Sequence, residues 1–180
     1  AERIEQADLD PDQAALLDKL LGKDYEVVTA DERLDKIAAD FVEHCATRWE
    51  SGKSLFVCID KITCARMLQR IEPRWKAKAV AVRAASLAKH AAAAAEIDQD
   101  IRATLAEQAT KLEKQAHWLD ETIVELIISE AQNEVGDFKK WGFDIIPHRE
   151  RMKKGFEVVG GDRVDVETAF KDPKHPFRVA

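Results

Sequence analysis

The sequence predicts an α/β fold, and three stretches carry that expectation. Ser54 to Ile59 is a nearly unbroken apolar run of strand length that passes through Asp60 into a helical pattern. Thr122 to Ile128 is a second β-rich run followed by a short helix, and Phe177 to Ala180 reads as the start of a third strand. Strand, turn and helix in that order make half of a βαβ crossover, the unit that builds parallel sheets flanked by helices. The sheet is expected to be short and mostly parallel, with a long Ala-rich helical insertion between its parts.

The elements follow in chain order. Pro11 sits after the turn-like Asp8, Leu9 and Asp10, and Ala14, Leu16, Leu17, Leu20 and Leu21 read as a short helix closed by Gly22. Tyr25, Val27 and Val28 make a short β-prone stretch between Asp24 and Thr29. Thr29 or Asp31 then caps a helix to about Glu50, with Leu34, Ile37, Ala38, Phe41, Val42 and Cys45 at helical spacing and Ser51 and Gly52 as its stop. The unbroken apolar character of Ser54 to Ile59 predicts a strand buried on both faces. Ile62, Ala65, Met67, Leu68 and Ile71 restart a helix that Glu72 and Pro73 should end.

From Lys76 to Trp118 there is no Gly or Pro, and Ala91 to Ala95 form an alanine run, so long helices are expected. The sequence advertises no turn there and leaves one helix or a hairpin open. After the second β-rich run, a helix from about Asn133 to Trp141 ends at Gly142. Gly155, Gly160 and Gly161 then punctuate the chain before a short helix from Asp165 to Lys171.

Composition narrows the function classes. At 180 residues the chain holds one modest domain or slightly more, and 46% hydrophobic residues can fill its core. With 34% of residues charged and no apolar stretch near the length that crosses a bilayer, a cytoplasmic protein without a membrane partner is expected. The odd set Cys45, Cys58 and Cys64, with no CxxC pair, argues for reduced thiols over a disulfide framework or zinc ribbon. The formal net charge is −6, but its distribution is uneven. The first forty residues are strongly acidic, whereas Lys139, Lys140, Arg149, Arg151, Lys153 and Lys154 face only Asp144 and Glu150. A basic segment of this kind is the pattern to test for polyanion binding.

No GxxxxGK[ST] loop is present, and the adjacent Gly160 and Gly161 do not make a dinucleotide fingerprint, so no catalytic or cofactor-binding residue is assigned. His44, His90, His117 and His175 lack metal-ligand spacing, and no metal is assigned. His148, Arg149 and Arg151 follow Pro147 as a cluster able to grip phosphates, or simply as the charged start of a helix. Gln132 and Asn133 follow one strand candidate, and Asp60 and Thr63 follow another, where open α/β sheets gather ligands; helix capping explains both sets as well. Cys58 and Cys64 flank the Asp60 turn, and buried structural cysteines are a commoner outcome than a redox pair. Trp49, Trp75, Trp118 and Trp141 lie near helix ends, as packing anchors do.

Three blocks carry a family resemblance: SLFVCIDKITCARMLQRI (Ser54 to Ile71), TIVELIISEAQNEVGDFKKWGFDIIPHRERM (Thr122 to Met152) and FKDPKHPFRVA (Phe170 to Ala180). Together they resemble the restriction subunit of type I restriction-modification systems, within the second RecA-like lobe of its helicase-like motor. The resemblance implies a partial RecA-like domain. Residues 1–24 would be a helical lead-in, 25–75 the first part of the lobe, 76–118 the insertion, and 119–180 the second part. It further implies an ATP-dependent DNA translocase and endonuclease that uses ATP and Mg in the parent subunit. The partners would be double-stranded DNA, the methylase and specificity subunits, and the remaining domains of the same subunit.

By the same resemblance the Walker elements would precede this chain and the ATP-sensing arginine would follow it. The chain is then expected to be an inactive fragment that binds no cofactor by itself. Motif IV maps to Ser54–Thr63, so Asp60, Lys61 and Thr63 join Gln132, Asn133, His148, Arg149, Arg151, Lys153 and Lys154 as candidate DNA contacts. The rival expectation is a non-enzymatic module that presents its helices to a protein partner.

Overall fold

The structure, a computed structural model, describes residues 11–157 and 161–180. The turn expected at Asp8 to Asp10, and Gly160, lie outside the described residues. The chain forms two compact units, Ala1–Ile37 and Ala38–Ala180. It is mostly helical, with a two-stranded parallel sheet and a separate antiparallel pair.

Helix α1 spans Pro11–Val28 and corrects two expectations at once. Gly22 does not close it, and Tyr25 to Val28 continue it instead of forming a strand. A glycine inside a helix costs only about 1 kcal/mol against alanine, which neighbouring turns absorb. The stop comes at Thr29, whose N–H and hydroxyl both donate to the Tyr25 carbonyl, at 2.9 and 2.8 Å. Helix α2 spans Asp31–Thr47, with Asp31 and Glu32 favourably placed in its first turn, and a 3-10 turn, Trp49–Ser51, follows. Its buried residues Ala38, Val42 and Cys45 keep the spacing read from sequence, and Ala46 is buried beside them.

Helix α3 runs without interruption from Lys61 to Ala95, straight through Pro73. The expected end at Glu72 and Pro73 is therefore overturned. Proline removes the bond to the carbonyl four residues back, but flanking contacts hold the helix on course. Ile71 and Trp75 are buried on either side of it, and the Trp75 indole donates to the Leu119 carbonyl at 3.0 Å. The chain reverses at Glu96–Asp98 and returns as α4, Gln99–Glu121. The turn is built from carboxylates: Glu96 accepts from the Ile97 and Asp98 N–H groups, and Asp98 caps α4 through Asp100 and Ile101. Small residues let the two helices approach closely. Ala79, Ala93, Ala109 and Ala116 are buried, and the Ser86 hydroxyl donates to the Ala109 carbonyl at 2.9 Å.

Strand β1 is Ile123–Val124, and after α5 (Glu134–Lys140) and α6 (Ile146–Lys154) come β2 (Phe156–Glu157) and β3 (Arg163–Val164). Helix α7, Val166–Lys171, leads to β4, Phe177–Val179. Strand β4 pairs parallel with β1, and Ser54 forms a parallel bridge to Val179 on its other side. Phe56 N–H donates to the Ala180 carbonyl at 2.7 Å, and Glu125 N–H to the Val179 carbonyl at 3.0 Å. All three apolar stretches thus run side by side in one direction, with β4 in the middle.

Burial on both faces of Ser54 to Ile59 is not found. Leu55, Val57 and Ile59 are 68%, 80% and 60% exposed, while Phe56 and Cys58 turn inward towards α3. An apolar composition without alternation could not reveal that only one side is covered. One core packs Ala65, Leu68, Leu126, Phe138, Phe143 and Ile145 together, and a second packs Phe156, Ala169 and Phe177.

Candidate functional site

The loop after β1 is the meeting point of most of the polar residues singled out in the sequence. Residues 125–133 leave the carboxyl end of β1 and are gripped from two helices. From α3, Lys61 donates to the Glu130 carbonyl at 3.3 Å. From α6, Arg149 donates to the Ile128 carbonyl at 2.8 Å and forks onto Glu134 with two bonds of 2.8 and 2.7 Å. Lys153 pairs with the Glu130 carboxylate. A groove of about 290 Å³ opens beside this loop, lined by Cys58, Asp60, Lys61, Cys64, Ile128 and Ala180 among others.

Asp60 is the N-cap of α3. Its carboxylate accepts the Thr63 N–H at 2.7 Å and the Thr63 hydroxyl at 2.9 Å. The anion-binding end of α3 is thus occupied by the chain's own carboxylate, which does not fit a nucleotide phosphate there. The absence of a glycine-rich phosphate loop agrees with that. Among the described residues, no group of three or more His, Cys, Asp and Glu side chains could hold a metal ion.

The loop after β1 begins with a residue that sequence reasoning missed. Glu125 is 1% exposed and takes His148 Nδ1 on one oxygen and Arg151 on the other. The ring of His148 stacks on Phe143, with centroids 4.9 Å apart and planes at 18°. The signal was present: a single carboxylate inside the apolar run Ile123 to Ile128 must find cationic partners when buried. The cluster that follows Pro147 supplies them from one face of α6.

The basic segment is therefore largely neutralised within the chain. Arg149, Arg151, Lys153 and Lys154 pair with Glu134, Glu125, Glu130 and Glu150. These pairs differ in kind. The Arg149 and Glu134 side chains are each 12% exposed, and their hydrogen bonds hold the Glu134 carboxyl below its usual range, helped by the Ala131 N–H. Lys153 and Lys154 are 62% and 59% exposed, and pairs at that exposure contribute between about 0 and 1 kcal/mol.

Gln132 is exposed, and Asn133 precedes α5 in a left-handed conformation, φ 59°, without capping through its side chain. Both stand at the rim of the same loop. Three tryptophans pack on one another, Trp118 lying 6.4 Å from Trp49 and 6.0 Å from Trp75, but Trp75 sits mid-helix in α3 and not near a helix end, and Trp141, under the Arg66 guanidinium, is half exposed and no packing anchor. Among the described residues no helix is long and apolar enough to cross a membrane. The chain has no significant match to any protein-family model, curated protein or solved structure.

Proposed function

We propose that this chain is part of the second, RecA-like motor lobe of a type I restriction enzyme's DNA-translocating subunit, and that it touches the backbone of double-stranded DNA. The observation that supports this reading is the arrangement of the three apolar stretches. They run parallel, with the turns after Ile59 and Ile128 at one end, where ligands of open α/β sheets gather. The bare apolar face of Leu55, Val57 and Ile59 also suits a sheet whose second side is covered by other parts of a lobe. In this reading ATP, Mg and the nuclease carboxylates belong to the rest of the parent subunit, and the methylase and specificity subunits choose the sequence.

A translocase must pass every sequence, so the contacts are to phosphates. Lys153 and Lys154 are the side chains suited to this, because their exposed pairs with Glu130 and Glu150 are weak enough for a phosphate to replace. Arg149, forked onto Glu134 and two carbonyls, is committed to holding the loop. The test is binding of the chain to duplexes of unrelated sequence across a salt series. Binding should be weak and independent of sequence, and the Lys153→Ala, Lys154→Ala pair should reduce the salt slope by about one for each phosphate that is no longer neutralised. No binding, or an unchanged slope, overturns the proposal.

A second reading, a helical module for a protein partner, is favoured by the length of the α3–α4 hairpin and by exposed Val80, Leu87 and Ile101 on it. A fall in the salt slope on lysine substitution separates the two, since hairpin-mediated protein binding would leave it unmoved.

A further inference from the structure

His175, Pro176 and Phe177 deliver the chain into β4. The Phe177 N–H donates to Nδ1 of His175 at 3.1 Å, across Pro176, which has no N–H of its own. The Pro176 carbonyl, held in the same turn, accepts the Ile123 N–H at 2.8 Å and so opens the ladder between β4 and β1. His175 is 8% exposed, and its ring packs on Phe156 with centroids 5.3 Å apart. Its own N–H donates to the Asp172 carbonyl at 3.2 Å. An asparagine or aspartate here would make the same bond through a side-chain oxygen, as in an Asx-turn. In this chain an imidazole makes it, and an imidazole titrates near neutral pH.

We propose that His175 is an acid-sensitive latch on β4: uptake of a proton by its ring releases the Phe177 amide and loosens the turn that seats β4 against β1. A neutral imidazole has one donor and one acceptor nitrogen, so a bond received at Nδ1 places the ring proton on Nε2. The imidazolium has two donors and no acceptor. Its Nδ1–H would face the Phe177 N–H, and the bond cannot survive. Opening leaves a buried amide without its partner and a charged ring beside Phe156 that water must reach.

The surroundings oppose charging of the ring. Burial is the first reason that His175 takes up a proton less readily than a free histidine. Lys53, just before Ser54, and Arg178 in β4 add repulsion, while Asp172 after α7 acts the other way. Lys53 is held in place by donating to the Ala169 carbonyl at 2.6 Å. The folded value therefore lies below the ordinary histidine value of about 6.5. The latch contributes its full stability above that pH, and the contribution is lost as pH falls through the folded value.

The experiment follows the full chain by proton–nitrogen NMR between about pH 8 and pH 5, the range in which histidines titrate. At the upper end the His175 ring should show the Nε2–H tautomer. On acidification the Phe177 and Ile123 amides should shift together with the His175 titration. Urea unfolding over the same range compares the wild type with His175→Asn, whose side-chain oxygen can accept the Phe177 N–H and does not titrate. The wild type should lose up to about tenfold in folding equilibrium constant per pH unit beyond what the variant loses. The comparison is of slopes and the other histidines are shared, so a constant cost of the smaller side chain cancels. Should the variant not fold, the wild-type NMR decides alone. An Nδ1–H tautomer at neutral pH, a Phe177 amide indifferent to the His175 titration, or parallel pH profiles in the two chains would each overturn the proposal.

Discussion

Arg149 shows how a residue chosen for one role is held by another. Its guanidinium spans the Ile128 and Ser129 carbonyls and both Glu134 oxygens, so these four bonds tie it to the loop after β1 and to the start of α5. Because the Glu134 carboxyl is held low in the folded chain, the pair stabilises fully above the ordinary carboxylate range and is lost as pH falls through the lowered folded value. Arg149→Ala is expected to reduce stability to urea by about 2 kcal/mol at neutral pH, the scale of charged hydrogen bonds, and by clearly less near pH 3. Arg149→Lys should recover only part, since an ammonium cannot fork. Equal losses at both pH values would assign the effect to packing.

Among the elements, the α3–α4 hairpin shows what local reading can and cannot reach. The long Gly-free and Pro-free stretch made helices legible, yet Pro73 read as a stop and the Glu96–Asp98 reversal was invisible. Both follow from forces outside the local window. Pro73 is tolerated because Ile71 and Trp75 are buried around it, and the reversal depends on side-chain carboxylates that also occur mid-helix. Ala109 is fully buried under the Ser86 hydroxyl, where the helices meet. Ala109→Leu should overpack this region and lower stability by about 1 to 3 kcal/mol, checked by thermal melting followed by circular dichroism. A comparable cost for Ala91→Leu, on the exposed side of α3, would show that the close approach is not the cause.

On the scale of the whole molecule, β4 is the element that joins the most distant parts of the chain. It carries the Ser54 bridge on one side and β1 on the other, and Phe177 at its start is fully buried against Phe156 and Phe170. Phe177→Ala is expected to cost about 3 to 5 kcal/mol. Hydrogen exchange should show the amides of Phe56 and Glu125 losing protection together, since both donate to this strand or its flank. Independent loss would mean that the two flanking segments are held without β4. Gly155 has a related role at the start of β2: at φ 71° an added Cβ would collide with the Val164 carbonyl, so only glycine lets α6 end and the β2–β3 pair begin there.

The sequence by itself determined where most helices lie, that the stretches before Asp60, after Thr122 and at Phe177 are extended, and how α3 is capped, because periodicity and capping act over a few neighbouring residues. Asp60 could be read as a cap for that reason. Tertiary structure alone decided that Leu55, Val57 and Ile59 are bare, that Glu125 is enclosed by His148 and Arg151, and that the basic segment spends its charge on glutamates brought from elsewhere in the chain. Burial and ion pairing depend on partners distant in sequence, and no local pattern states which of them will arrive.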